Sequence, residues 1–586
     1  MDRWVHPALF FFLGSLLLPL FRGKAKKGFI LLIPILAIIS VALTQYGNYG
    51  EYRFLNILCL FGRVDRLSMV FAWVFVIMSF LGALYALKRE EDGHHIAGFC
   101  YVGGALGSVF AGDYLTLFIF WEIMAFSSVF LIWYRKDQKS LEAGFRYLLF
   151  HIFGGLLLFS GLLLNYYQTG SMAFNGILPV NASWPQYLIL AGFALNAAVL
   201  PLHAWLPDAY PEATIEGAVF LCAFTTKTAV YVLARGFAGF EILAILGTAM
   251  TVFGVCYAVI ENDIRRVLAY HIISQVGYMV AGVGIGSHLA LNGATAHAFA
   301  HILYKALLFM GAGAVLYATG TAKLNRLGGL YKYMPLTMIF YVVGAISISG
   351  FPLFSGFVSK SMIVAAAHEK GQLWLMCLMN LAGIGTFLSV GLKVTYFAFF
   401  GKESEPNLAA AKEPPRNMLW AMGLTALACF IIGVYPDCLY VLLPFPVEYH
   451  PYNIHHLSEM LQILAFTGLV FWLMLKKLTP EAKLNLDVDY FYRKGSLLFM
   501  KLDEKVICPI DAFWGELYRT LGLTALFKNA ELSYGFDRKV IDGIVDGTAH
   551  SVMGFGAVAK KLQTGRIQSY VGLSLFLFFA ILWFVL

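Results

Sequence analysis

His297, His301 and Lys305 recur every fourth residue within NGATAHAFAHILYKALLFMGAGAVLYAT, from Asn292 to Thr319. On a helix of 3.6 residues per turn this spacing puts two imidazoles and an ammonium in one stripe. The rest of the stretch is apolar or small and long enough to cross a bilayer. Three titratable groups in such a helix are costly unless they face a bundle interior or water. A stripe of proton-exchanging groups through hydrocarbon is what a proton relay requires. The alternative is structural: the histidines bond neighbouring helices and Lys305 reaches back to the surface. The long apolar run after Lys305 disfavours that reach. The histidine pair lacks the glutamate of H-E-x-x-H and no third ligand is placed by the sequence, so no metal is expected.

Composition sets the environment of this stripe. Of 586 residues, 60% are hydrophobic and 13% charged, against about 25% charged in soluble domains. This is the composition of a polytopic membrane protein, and the net charge of +8 bears on loop orientation rather than on nucleic acid, which is not an expected partner. The eight cysteines are scattered without a CxxC pair, which excludes a disulfide framework and cluster or zinc ligation. There is no dinucleotide fingerprint or P-loop. No cofactor and no bond-making active site are therefore expected on this chain. The N-terminal stretch, MDRWVHPALFFFLGSLLLPLFRGKAKKG, reads as a retained first span, not a signal peptide.

Apolar runs of spanning length begin near Val5, Gly28, Leu67, Ala97, Leu115, Phe145, Gln186, Thr214, Ile242, Val267, Asn292, Met334, Leu373, Met418, Ser458 and Ser569. Hydropathy thus predicts an all-α protein of about sixteen transmembrane helices. Placing the N-terminus outside gathers most Lys and Arg inside, from Arg22, Lys24, Lys26 and Lys27 through Arg135, Lys136 and Lys139, Arg265 and Arg266, to Lys476 and Lys477. Arg53, Arg63 and Arg66 in the first outside loop are the exception.

Two segments carry prolines inside apolar runs: LPLHAWLPDAYP, Leu200 to Pro211, and SISGFPLFSGFVSK, Ser347 to Lys360. Proline removes a donor and clashes with the preceding turn, so both helices should break. Broken backbone at membrane depth is tolerated only where it is buried or lines a cavity. A matched pair of breaks is the sequence sign of two inverted repeats, here of five helices each. The expected organisation is three N-terminal spans (1–96), a first half-repeat (97–235), a second (236–400), additional spans (401–478), a cytoplasmic-side segment (479–568) and a final span (569–586). Within the last long segment, Val540, Ile541, Ile544, Val545 and Val552 share one helical face, which predicts an amphipathic helix lying along the membrane surface or the protein's flank.

Together these motifs resemble the antiporter-like, proton-translocating subunits of respiratory complex I, Mrp cation/proton antiporters and membrane-bound hydrogenases. The carriers of the resemblance are the H-x-x-x-H-x-x-x-K helix, Phe120-Trp121-Glu122, PLHAWLPDAYPEAT, FTTKTAVYVLAR with Lys227, GFPLFSGFVSK ending on Lys360, and VGLKVTYFAFFGK with Lys393. The core is most like the D-type component of Mrp antiporters. The C-terminal segment resembles that of the largest antiporter-like subunit of complex I, with its lateral helix. The resemblance implies a proton path through Glu122, Lys227, His297, His301, Lys305 and Lys360, with His203, Asn196, Glu216 and Lys393 as secondary candidates. It implies partners among other membrane subunits in a bacterial or archaeal cell membrane, with protons and Na+ as candidate ions. Beside a role in an Mrp-type antiporter stand two alternatives. One is a proton pump of a complex I-like NADH:quinone oxidoreductase or membrane-bound hydrogenase, and the other is a membrane scaffold with a vestigial channel. One departure matters. Asn196 stands where relatives carry a lysine, and an amide does not titrate. Lys227 is then expected to become the partner of Glu122, the alternatives being that His203 substitutes or that Glu122 stays protonated and this half does not pump. Glu216 is read as a carboxylate at a helix start.

Overall fold

The computed structural model describes residues 4–55, 57–481 and 486–586. It is helical nearly throughout and divides into two bodies, Met1–Asp489 and Tyr490–Leu586. Among the described residues, twelve helices are long and apolar enough to cross a membrane, and the apolar helices Pro7–Leu20 and Pro335–Ser349 are shorter. The expected all-α polytopic architecture is thus present, with twelve long apolar helices rather than sixteen full spans. One element escaped the hydropathy reading. Strands Gly47–Phe54 and Ile57–Val64 pair antiparallel. The carbonyl of Leu60 accepts from Gly112 N, and its amide donates to the Asp113 carboxylate, which ties the hairpin to the start of the Tyr114–Trp133 helix.

Burial ranks the spans. Ile215–Gly236 and Ile264–Ile285 are enclosed over their whole apolar windows and His288–Thr319 over 94%, whereas Gly23–Leu43 reaches only 28%. The enclosed helices carry Lys227, His271, His297, His301 and Lys305. The chain therefore places its ionisable residues where neither lipid nor bulk water touches them, and supports them with the surrounding spans.

The repeat is visible in the backbone at an offset of 150 residues, 263 less 113. Asp113 accepts from Thr116 N at the head of Tyr114–Trp133, and Asp263 accepts from Arg265 N and Arg266 N at the head of Ile264–Ile285. Isolated bridges join Asp113 to Ala173 and Asp263 to Lys323. Gln138–Thr169 and His288–Thr319 are both 32 residues long and end on left-handed Gly170 and Gly320. In the first copy a Cβ on Gly104 would lie 2.8 Å from Met124 N, and in the second a Cβ on Gly254 would lie 2.6 Å from Ser274 N. Small residues at those positions let paired helices touch backbone to backbone, the usual basis of helix association in lipid. Between the two copies' capped helices lie Gln138–Thr169, the broken segment, Ile215–Gly236 and Glu241–Ile260. The second capped helix is thus the fifth element after the first.

Both expected breaks occur. The Trp184–Asn196 helix stops before Trp205–Ala209, and Pro335–Ser349 stops before Ser355–Glu369. Each gap holds a non-glycine residue with left-handed φ, Ala198 at 55° and Leu353 at 73°, a conformation that costs about 1–2 kcal/mol. A third break, without proline, went unread in the sequence. Ile215–Leu221 and Thr225–Gly236 are separate helices with a turn at Cys222–Phe224. Tyr101 repairs it, its hydroxyl accepting from Thr225 N and pairing with the Thr225 hydroxyl. The positive charge at Arg265 also has a local use: its Nη2 donates to the carbonyls of Ala213 and Thr214, and its side chain is buried.

In the second body the chain is helical without interruption from Asp489 to Leu562, with π-helical turns at Asp503–Ile507, Tyr518–Thr524 and Asp537–Ile541. At a rise of 1.5 Å per residue such a run is about 110 Å long. The apolar Ile567–Val585 helix follows. The predicted amphipathic face, Val540 to Val552, lies on this run and is exposed. Leu484 and Asn485, which begin the polar LNLDVDYFYRKG segment, lie outside the described residues.

The Gly254 crossing generates a test. Gly254→Val drives a branched side chain into the backbone of Ser274 and should cost about 3 kcal/mol, the upper range for overpacking, read as a lowered thermal-unfolding midpoint in detergent. Gly468→Val, at a glycine whose Cβ would meet nothing within 4 Å, serves as the control. Equal midpoints for the two variants would refute the close crossing.

Candidate functional site

The third break explains the position of Lys227. Opening the helix at Cys222 frees a carbonyl that the next turn would otherwise satisfy. The Lys227 ammonium takes it, donating to Cys222 O at 2.6 Å and to Thr226 Oγ1 at 2.9 Å. This corrects the expectation that Lys227 pairs with Glu122. The ammonium is held by the break in its own span, and Glu122 Oε1 has no hydrogen-bond partner. The Glu122 carboxylate packs instead on Gly155, where an added Cβ would lie 2.3 Å from Oε1.

Lys305 is fully buried and its Nζ has no hydrogen-bond partner among the described residues. Its electrostatic neighbours are Lys227 and Cys222. One turn earlier, His301 has neither ring nitrogen bonded, and its electrostatic neighbours are Lys227, Lys305, His297 and His271. The His297 ring lies 6.3 Å from that of His301. Its Nδ1 meets Ser359 Oγ at 3.1 Å and its Nε2 meets Gln275 Oε1 at 3.2 Å. Ser359 stands beside Lys360, whose Nζ sits 4.7 Å from the centre of the Tyr278 ring, a cation–π arrangement. Lys227, Lys305, His301, His297 and Lys360 thus form one buried succession across three helices.

At Lys360 the succession opens. A cavity of about 490 Å³ is lined by Lys360 and Tyr278 and, farther out, by His368, Glu369, His456 and Glu459. Buried polar groups left without protein partners are uncommon. Among the described residues they recur in the first body: Glu122 Oε1, both nitrogens of His151, both amide atoms of Asn196, both nitrogens of His301, and the side-chain nitrogens of Lys305 and Lys360. Such groups can be solvated by a file of water and can exchange protons with it.

The secondary candidates fall elsewhere. Lys393 lies in the π-helical stretch Phe387–Val394, and its ammonium donates to Val259 O and Glu261 O. It satisfies the C-terminal carbonyls of Glu241–Ile260, a favourable place for a cation. Glu216 stands in the first turn of Ile215–Leu221, 3.5 Å from Arg89 Nη1, while the cap itself is Thr214, whose side chain accepts from Gly217 N. His203 is wholly buried in the first break. Its Nε2 lies 3.2 Å from Asp487 Oδ1, and Asp487 Oδ2 accepts from the Tyr270 hydroxyl at 2.7 Å. Burial works to raise the Asp487 carboxyl, but the bond and charge of His203, helped by Tyr270, hold it below the ordinary carboxylate range.

Four path groups went unread in the sequence. His271, Gln275 and Tyr278 share one face of Ile264–Ile285 at four- and three-residue spacing, and His271 Nε2 meets Ser389 Oγ at 2.7 Å. His151 is the counterpart of His301 at the repeat offset. The spacing of the first three and the repeat itself are the signals that would have found them.

Residues 111–386 match the family described as NADH:quinone oxidoreductase/Mrp antiporter, TM. The chain is 29% identical to the D-type component of the Na(+)/H(+) antiporter of Alkalihalophilus pseudofirmus, over 67% of its own length and 83% of that relative. Of the longer A-type and A/B-type antiporter relatives it spans 40% to 61%. Among solved structures it is similar to a chain of the membrane-bound sulfane sulfur reductase, an archaeal respiratory membrane complex (TM-score 0.67, 25% identity, 78% of this chain and 97% of that one). It shares its fold with a chain of the Mrp complex from Dietzia sp. DQ12-45-1b (TM-score 0.66, 21% identity, 79% of this chain and all of that one).

The Glu122–Gly155 contact can be probed chemically. An apolar carbodiimide should label Glu122 in the membrane-embedded protein, and Gly155→Ala should cut that labelling several-fold by displacing the carboxylate. Gly154→Ala, whose new methyl meets only the Leu195 side chain at 3.2 Å, should leave it unchanged. Equal labelling of the two variants would disprove the contact.

Proposed function

We propose, from the premise that this chain belongs to the NADH:quinone oxidoreductase/Mrp antiporter transmembrane family, that it is the proton-translocating, D-like subunit of an Mrp-type monovalent cation/proton antiporter. The observation that carries this reading is the buried succession Lys227, Lys305, His301, His297 and Lys360, ending in a cavity. The names of the relatives, A-type and D-type antiporter components, support it over a redox-driven pump or an inert scaffold.

The mechanism follows from charge. Two ammoniums held near each other in a low-dielectric bundle repel strongly. A proton arriving at Lys227 therefore favours departure of one from Lys305. The departing proton has His301 and His297 ahead of it on the same helix, and Lys360 at the cavity beyond. Each hop moves a charge, and each moved charge biases the next group. Glu122, alone in its span, serves the first half-repeat (97–235), and Lys360 the second (236–400). His203, Asn196, Glu216 and Lys393 stand outside the hopping sequence, His203 as a feeder to the first half.

In this reading the N-terminus faces outside a bacterial or archaeal cell membrane, the partners are further membrane subunits, and the transported ions are protons exchanged for a monovalent cation such as Na+. The helical run of the second body, exposed along its length, is the surface for a neighbouring subunit.

Two outcomes test the reading. Lys305→Ala should abolish cation-driven proton movement in everted vesicles while the complex still assembles, because alanine removes the carrier without adding a charge. Wild-type transport by fully assembled variant would end the proposal. Truncation after Asp489 should leave the first body folded but weaken assembly, seen as a smaller species on native gels; unchanged mobility of the full complex would remove the bracing role.

A further inference from the structure

The path described above makes no use of Asp487, although this carboxylate is one of the few buried in the first body. It lies beyond the last span of that body, in the short segment that leads into the long C-terminal helix. The segment is fastened to the second repeat by its backbone, since Leu486 O accepts from the Tyr257 hydroxyl at 3.0 Å. From there the carboxylate reaches the first repeat's broken helix. Oδ1 accepts from His203 Nε2, and Oδ2 accepts from the Tyr270 hydroxyl. The other ring nitrogen, His203 Nδ1, is buried without a hydrogen-bond partner among the described residues, and the ring is packed against Phe253 with centroids 4.6 Å apart.

That arrangement fixes a tautomer. A carboxylate accepts only, so the proton of a neutral imidazole resides on Nε2 and Nδ1 keeps its lone pair. The partner group that orients a histidine and balances the charge it acquires is a recurring device of proton transfer. Here it comes from the C-terminal segment.

We propose that Asp487 is a positioning residue for proton transfer in the first half-repeat, holding His203 with Nδ1 ready to take up a proton and balancing the imidazolium that results. The step is a simple transfer: a proton binds the Nδ1 lone pair, the Nε2–H bond to Asp487 Oδ1 persists, and the proton later leaves Nδ1. The assignment rests on the antiporter reading of the chain. It also gives that half a titratable pair where Asn196 gives none. The titratable and charged groups around the pair are Tyr270, Tyr257, Arg266 and Asp489, with Arg146 beyond, bound to Asp208 and in the field of Asp489.

The experiment uses the whole complex in everted vesicles, with proton movement followed as a function of pH. Asp487→Asn removes the charge, keeps an oxygen to accept from His203 Nε2–H, and bonds the Tyr270 hydroxyl by donating to it. Assembly should be unchanged on native gels. The alkaline limb of the pH profile should move down by about one unit, roughly a tenfold loss of rate on that limb, since the imidazolium has lost its counter-charge. Asp487→Glu should restore the wild-type limb. His203→Gln should lower the rate at every pH, and adding Asp487→Asn to it should change nothing further, as expected of coupled residues. A wild-type profile for Asp487→Asn overturns the assignment. So does loss of assembly in Asp487→Asn with assembly retained in Asp487→Glu, which would make the carboxylate an anchor. Lys305→Ala, run in parallel, separates the two claims: if it transports normally, the antiporter reading fails, whereas a dead Lys305→Ala beside an unaffected Asp487→Asn removes only the present inference.

Discussion

A lysine amine enclosed in a helical bundle with no hydrogen-bond partner among the described residues is the constraint on which this architecture turns. Charging such a group away from water costs several kcal/mol even after the surroundings relax, and among the described residues no carboxylate or carbonyl bonds Lys305 to offset it. The chain supports that burial by enclosing three helices completely or nearly so and packing the others around them. Close helix crossings follow from the same need. Gly254 against Ser274, and Gly104 against Met124, bring backbones together so that dispersion contacts hold what an apolar solvent cannot drive together. A looser bundle would admit lipid or bulk water to the ionisable groups and level the differences between them.

The two repeats divide the chemistry unequally. At equivalent places, Glu122 corresponds to Ile272 in the other copy, and Lys305 corresponds to Gly155. Gly155 is the residue on which the Glu122 carboxylate rests. The first copy therefore keeps the acid and lacks the base on its long helix, while the second keeps the base and lacks the acid. Only the imidazole position is shared, His151 with His301. Two copies built this way differ in which ionisable groups they carry, an asymmetry that two identical halves would lack.

Much of this was legible in the sequence because membrane insertion forces it to be. Apolar runs mark helices, and prolines mark the breaks at Leu200 to Pro211 and Ser347 to Lys360, since lipid leaves no other solution for the backbone. The stripe at His297, His301 and Lys305 could be read from spacing alone. The break at Cys222–Phe224 could not, because no proline or glycine announces it and Tyr101, which repairs it, is more than a hundred residues away. The unannounced break also hid the partners of Lys227, which are the carbonyl it frees and Thr226, both close in sequence, rather than Glu122. The hairpin at Gly47–Phe54 and Ile57–Val64 was hidden for a different reason: its alternation is weak, and its purpose lies in a contact with Asp113.

Position 196 is an asparagine, which does not titrate, and the C-terminal segment brings a charged group close to the break that follows it. A proton path through the first repeat needs a titratable group near the broken helix, but that group need not lie on the spans of the repeat. His203 sits in the break itself, and its counter-charge arrives from Asp487, at the far end of the first body's chain. Supplying the charge from a segment outside the repeat has a consequence that an intrahelical lysine lacks. The state of the first repeat becomes sensitive to where the C-terminal segment sits, and that segment continues directly into the long exposed helix. Under the proposed assignment, the counter-charge at His203 depends on the short segment before Asp489 rather than on a residue of the repeat's own spans.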